Sequence, residues 1–241
     1  MKKMFLLLPV GLVAASGFFL LSSQNSVDST TIQKVEISVA SKNSEQLFTL
    51  SQDSLREIVR HGDVNSIAVL EESVGELESR LPRYERQGLN VGKVKTLISQ
   101  YKEDASVLSQ TAQPYLEKIK GYDSYEEKKE EKFLIAIDQI GLYELKTTYK
   151  QLSKIRVDYL KEPSAELAQE YRTSAETLTQ TIKELYLDSA IEDPLYAFIN
   201  NHKGYFETVA ICYNKAGVER VNRLRQNSYA IKTELQMLPT I

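Results

Sequence analysis

Apolar residues fall into two patterns along this chain. From Met4 to Ser23 they form one uncharged, mostly apolar run behind Lys2 and Lys3. Beyond it they recur at intervals of three and four, and alternation of period two is nowhere sustained. The first pattern is span-like, because about twenty residues at 1.5 Å each match the roughly 30 Å hydrocarbon core of a bilayer. The second predicts an all-α body. Its clearest stripe is Val91, Val94, Ile98, Tyr101, Ala105, Leu108, Ala112; others are Val64, Ile67, Leu70, Val74, Leu77, Leu81 and Leu134, Gly141, Leu145, Leu152, Ile155, Tyr159. Repetition near 3.5 residues favours helices packed at the shallow crossing of bundles and coiled coils.

Cap chemistry places the boundaries. His61-Gly62-Asp63 reads as a basic last turn, a glycine free to take positive φ and an aspartate N-cap. Gln87-Gly88 before Asn90, and Lys120-Gly121 before Asp123, repeat that logic; Ser124 to Glu127 fits a capping box. Glu162-Pro163-Ser164 breaks the next helix and Asp193-Pro194 opens the last. Six helices follow: 30–61, 64–87, 91–120, 125–161, 165–188 and 194–238. Short connections make neighbours antiparallel, giving an elongated antiparallel bundle over residues 28–241. Pro82 and Pro114 are kink or end positions. Two stacked bundles sharing long helices and one kinked bundle are both compatible with these lengths.

The N-terminal run has the basic start and apolar core of a secretory signal, but its cleavage sites are poor. A cut after Gly17 leaves Phe18 to Leu21 exposed, and one after Ser23 puts Leu21 where a small residue is needed. Residues 1–27 are therefore expected to be an uncleaved transmembrane anchor, with a cleaved signal and a secreted or soluble periplasmic product as the alternative. Lysines ahead of the span keep the N-terminus cytoplasmic, so the body is expected in the periplasm, on a single-pass protein of a bacterial inner membrane.

The chain carries a net charge of −3, and its body −5 once Lys2 and Lys3 are set aside, which disfavours nucleic acid as a partner. Its one cysteine, Cys212, allows no internal disulfide and is expected in the core, with a free thiol able to pair between chains as the alternative. The two histidines are His61, in a helix-ending turn, and His202, on the stripe Leu195, Phe198, His202, Phe206, Val209. No metal-ligand pair, phosphate loop or nucleophile elbow is present. No catalysis, metal or cofactor is expected. The mixed run Glu126 to Lys132 reads as a solvated face.

Arginines are the remaining candidates. Arg80, Arg83 and Arg86 recur every three residues, and Arg220, Arg223 and Arg225 cluster in the last segment. A guanidinium fork suits carboxylate or phosphate, so either group is a candidate contact for an anion, a lipid or a partner, unless neighbouring acids such as Glu78, Glu85 and Glu219 already pair with it. Arg156, beside the seam residue Ile155, requires an interior partner, either an acid or a small carboxylate ligand.

One span carrying a helical bundle outside the membrane resembles, in layout, the sensing domains of bacterial chemoreceptors and sensor kinases. The chain ends at Leu238-Pro239-Thr240-Ile241 with no second span or signalling module, so a sensing role passes its result to a partner. The expected function is a membrane-anchored extracytoplasmic bundle that binds a partner protein or small ligand. The alternative is a structural tether or oligomerising stalk of the cell envelope, which implies a homo-oligomer.

Overall fold

The computed structural model describes residues 42–238, and every regular element among them is helical. The expected anchor over residues 1–27 and the expected helix start at Thr30 lie outside the described residues. Among the described residues no helix is long and apolar enough to cross a membrane. The helices are α1 (Ser44–Arg56), α2 (Asn65–Arg86), α3 (Gly92–Ala112), α4 (Leu116–Gln139), α5 (Tyr143–Lys161), α6 (Ala165–Glu184), α7 (Ser189–Ala216) and α8 (Val218–Gln236).

Several caps form where the sequence places them. Gly62 takes φ 66° after a wide π-helical turn, Glu57–His61, that ends α1. Asp63 then accepts from the backbone N–H of Asn65 at 3.2 Å. Gly88, at φ 79°, closes α2 with the paired bonds Leu89 N–H to Tyr84 O and Gly88 N–H to Glu85 O. Ser164 caps α6 through Leu167 N–H at 3.1 Å.

Other boundaries move. Gly121 lies inside α4, so the expected break at Lys120-Gly121 is absent; the chain bends earlier, in a 3-10 turn over Gln113–Tyr115 built on Pro114. The buried positions Ile119, Glu126, Phe133 and Ile137 form one face across Gly121, and that packing outweighs glycine's weak helix propensity. Gly141, expected on a helical stripe, instead takes φ 72° and ends α4. α7 begins at Ser189, capped by Asp188, with Pro194 inside its second turn. Gly217, at φ 91°, separates α7 from α8. Among the described residues the six expected segments are thus eight helices, because two long ones are each divided at a glycine with positive φ.

The helices close into two rings. α1, α2, α3 and α8 pack in a cycle around Leu47, Phe48, Leu77, Ile98 and Ile231; α4, α5, α6 and α7 pack in a second cycle around Phe133, Tyr149, Leu152, Leu178 and Phe198. Every one of these ten residues is at most 4% exposed. Burying an aliphatic or aromatic side chain of this size stabilises by about 1.5–3 kcal/mol.

Two near-continuous rods thread both rings. One is α3 followed by α4, the other α7 followed by α8, and their contacts run in opposite directions along the chain. Lys93 meets Glu234 at 2.5 Å, Gln100 meets Asn227 at 3.3 Å, Asp104 meets Arg223 at 2.6 Å, and Tyr115 meets Lys215 at 2.6 Å. Further along, Tyr122 O accepts from Asn201 at 2.9 Å. There the Tyr122 ring fills the notch at Gly204, where an added Cβ would lie 2.6 Å from the ring. Gly62 has a similar constraint where the rings join, since its Cβ would meet Leu116 O at 2.2 Å.

Candidate functional site

The second ring encloses a polar network with one member from each helix. Glu126 of α4 accepts from Arg156 of α5 at 2.6 Å, and His202 of α7 places Nε2 3.6 Å from the other Glu126 oxygen. Tyr171 of α6 sets its hydroxyl 2.5 Å from His202 Nδ1. The same hydroxyl donates to His202 O at 3.1 Å, so Tyr171 holds both the ring and the backbone of His202. The guanidinium lies 5.2 Å from the Tyr205 ring centroid, and the Tyr205 hydroxyl donates to Arg60 O at 2.9 Å.

Burial governs the electrostatics here. His202 is fully buried, and burial together with the Arg156 charge lowers its pKa well below 6.5, so it is neutral at pH 7. Burial raises Glu126 against the opposing pull of Arg156. Burial also opposes the Arg156 charge, but Glu126 more than offsets this and its pKa is raised. Tyr171 is raised well above 10 by burial, so its hydroxyl keeps its proton. Arg156 Nε is buried without a hydrogen-bond partner among the described residues. The network ties four helices into one register, and its interior position fits a structural role.

The arginines separate by role. Arg156 has the interior partner that its position requires, namely Glu126. Glu126 therefore leaves the solvated face expected for the run to Lys132, since it is 7% exposed. Arg80 turns inward, pairing with Glu76 at 2.8 Å and with Lys42 O, whereas Arg83 and Arg86 are exposed, so the three do not converge. Arg220 and Arg223 converge on Asp104, 1% exposed, at 3.2 and 2.6 Å. Arg225 points to Glu162 at 3.1 Å. His61 pairs with Asp123 at 2.9 Å.

Arg225 also edges a feature that the spacing of residues did not reveal. Where the two rings meet, α1 with its π turn, the end of α5, Tyr213 of α7 and the start of α8 surround a cleft of about 270 Å³. Among the described residues four cations line it, Arg56, Arg60, Lys161 and Arg225, and no Asp or Glu does. Arg60 donates to Leu160 O at 3.2 Å, and Arg225 donates to Lys161 O at 3.1 Å. These bonds cap the carbonyl end of α5 but occupy only some of the five donors on each guanidinium. Asp53 pairs with Arg56 at 2.7 Å; Arg60 and Lys161 form no ion pair among the described residues.

A neighbouring depression shares Lys161 and Arg225 but is also lined by Asp158 and Glu162, so the first cleft has the more cationic lining of the two. Among the described residues no group of three or more His, Cys, Asp or Glu is placed to hold a metal ion. Cys212 is fully buried, and burial raises its thiol to about 11. Comparison with protein-family profiles, with curated proteins and with solved structures gives no match for this chain.

Proposed function

We propose that this chain is a membrane-anchored binding protein without catalysis of its own, that its body lies in the periplasm, and that it receives an anionic group in the cleft between its two rings. The observation that carries this reading is the cleft itself: four cations line one concavity, and two of them, Arg60 and Lys161, form no ion pair among the described residues, on a protein whose net charge is −3. Concentrating the minority charge in one place favours a negatively charged ligand or partner segment. The anchor rests on the span-like run Met4–Ser23 and its poor cleavage sites. A role as tether or stalk is the second reading, favoured by the paired rods that run through both rings.

Two measurements test the proposal. Carbonate washing leaves an anchored chain in the membrane, and a soluble form beginning near Phe18 or Gln24 contradicts the anchor. Thermal unfolding of the full-length chain at matched ionic strength, with organic oxyanions replacing chloride, gives a rising Tm if the folded state binds them. A flat response to every oxyanion favours the stalk.

A further inference from the structure

Resting on that reading, we infer that the ligand of the inter-ring cleft is a compact anionic amphiphile, an oxyanion headgroup on a short apolar body. The floor of the cleft is apolar, built from Leu55, Val59, Leu108, Leu160, Val221 and Leu224. Three of these, Leu55, Leu160 and Val221, are only half-buried, so apolar surface remains in contact with water beside the cationic residues. A small hydrophilic anion satisfies the guanidinium groups and leaves that floor wet. An anion with a short tail satisfies both.

Size bounds the ligand. At about 270 Å³ the cleft lies just below the roughly 300–1,000 Å³ of common ligand pockets, which suits a short chain or a single ring and excludes a two-chain lipid. Tyr101 and Tyr213 also line it, and both stay protonated because burial raises each to about 12. Arg60 joins recognition to the interior: its carbonyl holds the Tyr205 hydroxyl, and the Tyr205 ring faces Arg156. The same residue sits in the π turn, a local geometry frequent at functional sites.

The test is isothermal titration of the full-length chain in phosphocholine nanodiscs, with empty nanodiscs subtracted. The probes are acetate, butanoate, hexanoate, hexyl phosphate and 1-hexanol. Affinity should rise about fourfold per added methylene from acetate to hexanoate, and 1-hexanol should bind at least about tenfold more weakly because it lacks the charge-assisted hydrogen bond. Whichever of hexanoate and hexyl phosphate binds more tightly identifies the headgroup. The double variant Arg60→Gln/Lys161→Gln should lose most of the affinity. Val221→Asn, a change at a half-exposed position, should flatten the chain-length dependence while the helical circular dichroism stays unchanged. Acetate binding as tightly as hexanoate overturns the amphiphile and leaves the anion site standing. Binding by no compound, or binding indifferent to the double variant, overturns the site as well.

Discussion

Glu126 and Arg156 meet at 2.6 Å between neighbouring helices, with only 10% and 17% of their side chains exposed. Each offsets part of the cost of burying the other's charge, so neither is replaceable alone. Glu126→Gln leaves a buried guanidinium without its counter-ion and should destabilise the protein by about 3–5 kcal/mol. Replacing both, as Glu126→Leu/Arg156→Met, should recover most of that loss. Urea unfolding of the three proteins decides it, and a single variant as stable as wild type contradicts the role given to the pair.

His202 gives a pH dependence whose direction is fixed. Its folded pKa lies well below the ordinary 6.5, so below that pH the unfolded chain takes up a proton that the folded chain refuses. Stability is therefore full above about pH 6.5 and falls as the pH drops toward the folded value, by up to about 1.4 kcal/mol per pH unit. The raised Glu126 acts in the opposite sense above its ordinary 4.5, losing its contribution as pH rises through its folded value. Comparing wild type with His202→Gln between pH 7 and 5.5 isolates the histidine, and equal slopes contradict its neutral burial.

Gly204 is required by the ring it faces. Gly204→Ala puts a methyl group 2.6 Å from the Tyr122 ring and should cost about 1–3 kcal/mol. Adding Tyr122→Ser should return part of that loss. If the two changes prove additive in thermal unfolding, the notch does not hold the ring.

Cys212 should be silent in the native protein. It is fully buried with its thiol raised to about 11, so a thiol reagent at pH 8 should label it only after denaturation in guanidinium. Fast labelling of the folded chain contradicts the burial.

Much of the fold was legible because its determinants are local. Gly62, Gly88 and Ser164 announce helix ends through cap chemistry, and the stripe from Val91 to Ala112 is buried throughout. Gly121 and Gly141 show the limit: the same residue type continues one helix and ends another, and the choice rests on which face the surrounding residues bury. Glu126 had a signal, since it shares the face of Ile119 and Phe133 at spacings of seven, but a helix break assumed at Gly121 hid it. His202 and Arg156 were readable as interior residues; their partners on other helices were not. The cleft had no local signature at all, because Arg60, Lys161 and Arg225 meet only when the two rings close.

Amide hydrogen exchange of the full-length chain with and without hexanoate locates ligand binding relative to the two rings. Ligand seated between the rings slows exchange only in residues 52–61, 160–162 and 221–228, and causes no such change in Arg60→Gln/Lys161→Gln. Protection centred elsewhere, or equal protection in the double variant, would contradict binding between the rings.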